Sequence, residues 1–167
     1  TSPCPQPDGA GDSFSTATQF TADGSEISEC LCPSGDVDWW KFTVEFGQEV
    51  SLWVFDMPYD YDMALYDPDG VLKAVSNRWG AERFEYINLM AYKDGDWRVE
   101  VWGKNQGQWS GKKPYKLKGT LDFPCDPDEA GNTFVSATAL TPSVPQAGIY
   151  NTHYGAICPK GDIDFYR

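Results

Sequence analysis

The sequence predicts an all-β protein: an antiparallel β-sandwich of jelly-roll type, followed by an incomplete second repeat of the same domain. Three observations point there. Apolar and polar residues alternate with period two in short runs separated by turn residues, and no long 3.6-residue period interrupts them. The acid is skewed, with 17 Asp against 8 Glu, and Asp gathers in turns, caps and calcium loops rather than along helices. Aromatics make up 15% of the chain, seven of them Trp, which separates it from a disordered acidic tail.

The elements follow in order. Phe14–Phe20 hints at one helical turn, with Asp12 or Ser13 as its cap. Residues 38–46 set Trp40, Phe42, Val44 and Phe46 against Trp39, Lys41, Thr43 and Glu45. Residues 48–57 set Val50, Leu52 and Val54 against Ser51, Trp53 and Phe55. A strand over 62–66 runs into Asp67-Pro68-Asp69-Gly70, a turn with Pro at a favoured position and Gly closing it. Runs at 71–76, 83–89, 95–102 and 114–122 complete seven or eight strands, the pattern of a sandwich or jelly roll.

With 167 residues the chain is one ordinary domain or two small ones. A net charge of −12 excludes nucleic acid as a partner, because phosphate contacts need cations that this surface lacks, and it disfavours anionic membranes. No apolar run approaches the ~20 residues of a spanning helix, so membrane insertion is not expected. With no signal peptide before Thr1, soluble, mature-type secreted material is expected.

Residues 4–40 recur at 125–166, with a period of about 121 residues. Cys4, Asp8, Asp12, Phe14, Ala17, Cys32, Gly35, Asp36 and Asp38 match Cys125, Asp128, Asn132, Phe134, Ala137, Cys158, Gly161, Asp162 and Asp164. Residues 1–123 thus form a complete copy, and 124–167 the beginning of a second that stops inside its first long strand. Without paired Cys or His at short spacing, zinc is not expected, and disulfides in an oxidising compartment are. The repeat makes Cys4–Cys32 and Cys125–Cys158 the consistent pairs. A loop of about 29 residues closed this way contributes roughly 3–4 kcal/mol in the chain-entropy model. Cys30 has no counterpart; a buried thiol, an alternative partner and an intermolecular bridge all remain open for it.

Five segments in order carry a family resemblance. They are Asp8-x-x-x-Asp12-Ser-Phe14-x-x-Ala17, Asp36-Val-Asp38-Trp39-Trp40-Lys-Phe42, Asp60-Tyr-Asp62-Met-Ala-Leu65-Tyr66-Asp67-Pro-Asp69-Gly70, Gly95-Asp-Trp97-Arg-Val99-Glu-Val101 and Pro114-Tyr115-Lys-Leu117. Together they resemble the bacterial pre-peptidase C-terminal domain, related to the collagen-binding domains of clostridial collagenases. The resemblance implies a β-sandwich, secretion, attachment to hydrolases or adhesins, and often calcium. The family's usual Glu-x-Asn-Asp arm reads here as Asp8-Gly-Ala-Gly-Asp12, one carboxylate short, with the cysteine pair replacing part of that anchoring.

Asp36 and Asp38, two apart at a strand start, point to one face, and the Cys4–Cys32 bridge brings Asp8 and Asp12 towards them. Converging carboxylates repel unless a cation joins them, and Ca²⁺ takes six to eight oxygens. The candidate structural calcium ligands are Asp8, Asp12, Asp36 and Asp38, with Asp128, Asn132, Asp162 and Asp164 in the second copy; the alternative is that these residues only cap turns. Asp56, Asp60, Asp62, Asp67 and Asp69 form a second acidic cluster, read as a solvated loop edge. Catalysis is not expected. There is no Gly-x-Ser-x-Gly elbow, His153 lies alone in a loop, Cys30 lacks a His, and the repeat already accounts for the Asp pairs.

Trp40 and Trp97 fall on apolar stripes and belong to the core, whereas Trp53 and Trp102 face the other way and Trp79 and Trp109 sit in loops. Exposed aromatics stack on sugars or grip extended polypeptides, so Trp102, Trp109 and Trp53 are the candidate ligand-binding residues; the alternative is that they seal the sandwich edges. The leading expectation is a non-catalytic secreted accessory or adhesion module that binds extracellular protein or polysaccharide or serves as a calcium-stabilised spacer. Two alternatives stand beside it. One is a carbohydrate-binding module in the strict sense. The other is a subunit of an extracellular assembly, self-associating by strand addition through 124–167.

Overall fold

The alternating runs form two sheets in the computed structural model, which describes Cys4 and residues 8–78, 84–105 and 107–122. The strands are β1 (Thr18–Gln19), β2 (Asp23–Glu29), β3 (Val37–Val44), β4 (Glu49–Phe55), β5 (Tyr61–Tyr66), β6 (Leu72–Ser76), β7 (Glu85–Met90), β8 (Gly95–Gly103) and β9 (Tyr115–Asp122). One sheet has the order β1-β3-β8-β5-β6 and the other β2-β9-β4-β7. Every pairing is antiparallel except β1 with β3, which is parallel. The result is an all-β sandwich.

The inward residues of the two sheets meet in one core: Trp40, Phe42 and Val44 of β3 and Trp97, Val99 and Val101 of β8 against Val50, Leu52 and Val54 of β4, with Tyr115 and Leu117 of β9. Trp97 is 0% exposed. Burying a side chain of this size stabilises by roughly 1.5–3 kcal/mol, which is why these strands keep strict alternation.

Two local outcomes differ from the pattern. Residues 14–16 make a single turn rather than a helix, closed by Thr16 N–H to the Ser13 carbonyl (3.1 Å) and to its hydroxyl (3.3 Å). Residues 23–29 form an unexpected strand: β2 carries one large apolar residue, Ile27, and holds its place through backbone pairing with β9 at the sheet edge.

The arm before β1 lies against the outer face of the five-stranded sheet. Gly11 exchanges backbone hydrogen bonds with Trp39 at 3.1 and 2.7 Å. A Cβ on Gly11 would stand 2.2 Å from the Thr16 carbonyl oxygen, so only glycine lets the turn close there. Phe14 then packs edge-on to Trp39 (5.7 Å between centroids) and Tyr66 (6.3 Å), with the Arg98 guanidinium 4.1 Å from its ring centre. The Arg98 Nε donates to the Phe14 carbonyl at 2.8 Å. The disulfide Cys4–Cys32 ties the start of the arm to the segment before β3.

The β5–β6 turn also exceeds its expected form. Gly70, at φ +80°, closes it beneath the Phe14 ring. Asp67 is buried and accepts the Asp69 and Val71 N–H groups (3.0 and 2.9 Å) and the Tyr92 hydroxyl. The second acidic cluster is therefore a solvated edge only at Asp56 and Asp69. Asp60, Asp62 and Asp67 are buried, and Lys116, Lys104, Lys73 and Lys93 pair with Asp56, Asp60, Asp67 and Asp69. The lysines neutralise what the sequence spacing alone left repelling.

The chain divides into two units, Thr1–Asp122 and Phe123–Arg167. The expected second copy lies outside the described residues, and with it Cys125, Cys158, Asp128, Asn132, Asp162, Asp164, His153 and self-association through 124–167; Trp79 lies outside them too.

Candidate cation and ligand sites

The carboxylates of Asp8, Asp36 and Asp38 converge, each offering an oxygen within 4.8 Å of the others. Asp8 comes from the arm, Asp36 from the residue before β3, and Asp38 from the first turn of its pleat, where it shares the inward face with Trp40. Asp12, which the sequence placed with them, is exposed and outside this group: the chain turns away at Gly11 to pair with Trp39.

Each carboxylate is held differently. Asp36 accepts the Cys32 N–H (2.7 Å) and the Val37 N–H (2.9 Å), one on each oxygen. Asp8 accepts the Ala10 N–H at 3.0 Å. Asp38, 1% exposed, accepts only the Tyr115 hydroxyl, at 2.6 Å; that hydroxyl in turn accepts the Trp40 indole N–H at 2.9 Å. The other oxygen of Asp38 is buried without a partner. Its carboxyl is pushed up to about 8, by desolvation first, with Asp36, Asp8 and Glu29 adding to it and the Tyr115 bond opposing. Asp8 is also raised, chiefly by burial, with the neighbouring carboxylates adding.

Asp67 shows what a satisfied buried carboxylate looks like in the same fold. Burial pushes it up, but the Tyr92 hydroxyl, two backbone N–H groups and Lys73 outweigh that and hold it below the ordinary range. Asp38 has one donor where Asp67 has four partners.

A hard cation suits this donor set. Ca²⁺ at ~2.3–2.6 Å from each oxygen accommodates oxygens up to ~5 Å apart, which matches the observed spread, and it would give the unpartnered Asp38 oxygen a ligand. Sequence reasoning missed two neighbours. Glu29 accepts the Gly9 N–H at 3.1 Å, beside Asp8, and Tyr115 anchors Asp38 from 77 residues away. Neither carries a local signal: both stand on the four-stranded sheet, from which Tyr115 reaches Asp38 of the other sheet and Glu29 reaches the arm. Cys30 is a half-buried free thiol, raised above its ordinary range by burial and then by Glu29 and Asp38.

The three candidate tryptophans are not brought together. Trp102, half-buried on the outer face of β8, lines a cleft of about 410 Å³ with Asp36, Glu100, Lys104 and Gln108. Trp109 follows Gln108 in the β8–β9 connection and is half-buried as well. Trp53 lies on the outer face of the other sheet, where Tyr86 packs against it (5.1 Å between centroids, planes 33° apart). Phe55, Phe84, Lys118 and Glu26 complete a groove of about 350 Å³ around it.

No family model and no curated protein matches the chain. Among solved structures, the pre-peptidase C-terminal domain of collagenase from Bacillus anthracis is similar, with a TM-score of 0.50 and 16% identity over 62% of this chain and 93% of that one. PliG of Aeromonas hydrophila, a periplasmic inhibitor of g-type lysozyme, has the same TM-score with 9% identity, over 63% of this chain and 96% of its own. The first likeness shows the fold that the five sequence segments implied. The second shows that this fold also serves a protein of quite different description.

Proposed function

We propose that the chain is a non-catalytic accessory module of a secreted protein, locked by a structural calcium ion and presenting its surface to extracellular protein or polysaccharide. The observation that carries the calcium part is the convergence of Asp8, Asp36 and Asp38 together with an oxygen of Asp38 that is buried without a partner. Ionising a buried carboxyl without a partner costs several kcal/mol, which keeps Asp38 high, and among the described residues no Lys or Arg pairs with this group. Asp8, Asp36 and Asp38 would hold the ion, whose charge relieves their repulsion. Asp8 contributes from the arm, so the ion and the Cys4–Cys32 bridge would fasten the arm at neighbouring points. The secretory part is supported by the disulfide and by the fold shared with a collagenase domain.

Thermal unfolding in calcium and in chelator tests this. Saturating calcium is expected to raise the midpoint by about 5–10 °C, and Asp38→Asn to abolish the rise. An equal midpoint in both solutions overturns the calcium assignment.

A further inference from the structure

The outer face of the four-stranded sheet is unlike the rest of the surface. Trp53 of β4 and Tyr86 of β7 are cross-strand partners whose rings form a platform two strands wide, and Phe84, 48% exposed, extends it at one side. Cations stand over these rings: Lys118 lies 5.6 Å from the Trp53 centroid and Arg78 5.5 Å from that of Phe84. Nearby Lys116 is neutralised by Glu26 and Asp56 at 3.2 and 3.1 Å. Among the described residues, neither Lys118 nor Arg78 has such an acid partner. In a chain of net charge −12, this aromatic groove, lined by Glu26 and Lys118 with Arg78 beside Phe84, carries more cations than acids among the described residues, a local reversal of sign.

We propose that this face docks an anionic, uronate-bearing polysaccharide, with sugar rings on Trp53 and Tyr86 and their carboxylates at Lys118 and Arg78. The proposal rests on the accessory-module reading and names the class of polymer it takes. A sugar ring presents an apolar face that stacks on flat aromatics, and its carboxylate supplies what the two cations lack. An extended polypeptide fits less well. β4, beneath Trp53, is paired on both sides, and a strand added at β7, the last strand of this sheet, would run beside the Trp53 and Tyr86 rings rather than across them. A neutral glycan would bring no carboxylate to Lys118 and Arg78, which have no ion-pair partner among the described residues.

Affinity electrophoresis of the whole chain in gels containing hyaluronate, polygalacturonate, hydroxyethylcellulose or gelatin, at fixed calcium, tests this. Retardation is expected in the two uronate gels only, weakening as sodium chloride is raised from about 50 to about 500 mM. Trp53→Ala and the double substitution Arg78→Gln with Lys118→Gln are each expected to weaken it about tenfold. The double substitution changes only surface charge, so it still reads the site should Trp53→Ala fail to fold. Retardation only by hydroxyethylcellulose, only by gelatin, or by none of the gels overturns the proposal, as does full retardation of the double variant. The calcium melts decide the underlying reading separately: a calcium-stabilised chain that ignores uronates loses this proposal and keeps the other.

Discussion

The two outer faces of the sandwich are built by the same alternation and have opposite fates. On the five-stranded sheet, outward Trp39, Tyr66 and Arg98 are roofed by Phe14 from the arm. On the four-stranded sheet, outward Trp53 and Tyr86 pack on each other, and lysines of β9 stand over Trp53 and Phe55. Among the described residues, an outward aromatic is thus covered by the arm on one face and left without such a cover on the other. The difference lies in a segment outside both strands that carry it.

The largest way to break this contrast is to release the roof. Cys4→Ser with Cys32→Ser is expected to cost about 3 kcal/mol, measured by urea unfolding, and to leave the four-stranded face unaffected. An unchanged midpoint would mean that the arm is held without the bridge. Phe14→Ala removes the roof itself. It is expected to cost about 1–2 kcal/mol and to red-shift tryptophan emission as Trp39 meets water; unaltered emission would show the face still covered.

Asp62 sharpens the comparison through pH. It lies on β5, 5% exposed, with one oxygen unpartnered, and is pushed up to about 6 by desolvation first, opposed by Lys104. A carboxyl raised on folding binds its proton more tightly in the native state. Its contribution is therefore present at low pH and lost as pH rises from about 4 through about 6. Asp62→Asn is expected to flatten that fall and add about 1 kcal/mol at pH 7, read from melts across the range; a parallel pH profile in the variant counts against it. The smallest effect belongs to the open face. Trp53→Ala is expected to cost less than about 1 kcal/mol, the worth of a cross-strand pair, in the same urea assay. A loss near that of Phe14→Ala would mark the face as structural after all.

Much of this was legible in the sequence. β3, β8 and β9 announce themselves because each buries alternate residues on one face. Asp36 and Asp38 read as a pair because strand parity puts them on one side, and the Cys4–Cys32 pairing emerged from the repeat. β2 stayed hidden because an edge strand with one large apolar residue, Ile27, lacks alternation. Asp12 looked like a ligand because spacing cannot show that the arm turns at Gly11. Tyr115 and Glu29 reach the carboxylate group from the opposite sheet, a packing contact for which no local pattern exists.

By itself the sequence determined which side chains face in and which face out, because alternation with period two is a local property of the chain. It also determined that the arm is tethered beside the Asp pair. What covers an outward residue was decided only by the tertiary structure. Phe14 reaches Arg98 across 84 residues and leaves Trp53 untouched, and the contacts that distinguish a roofed tryptophan from an open one are long-range.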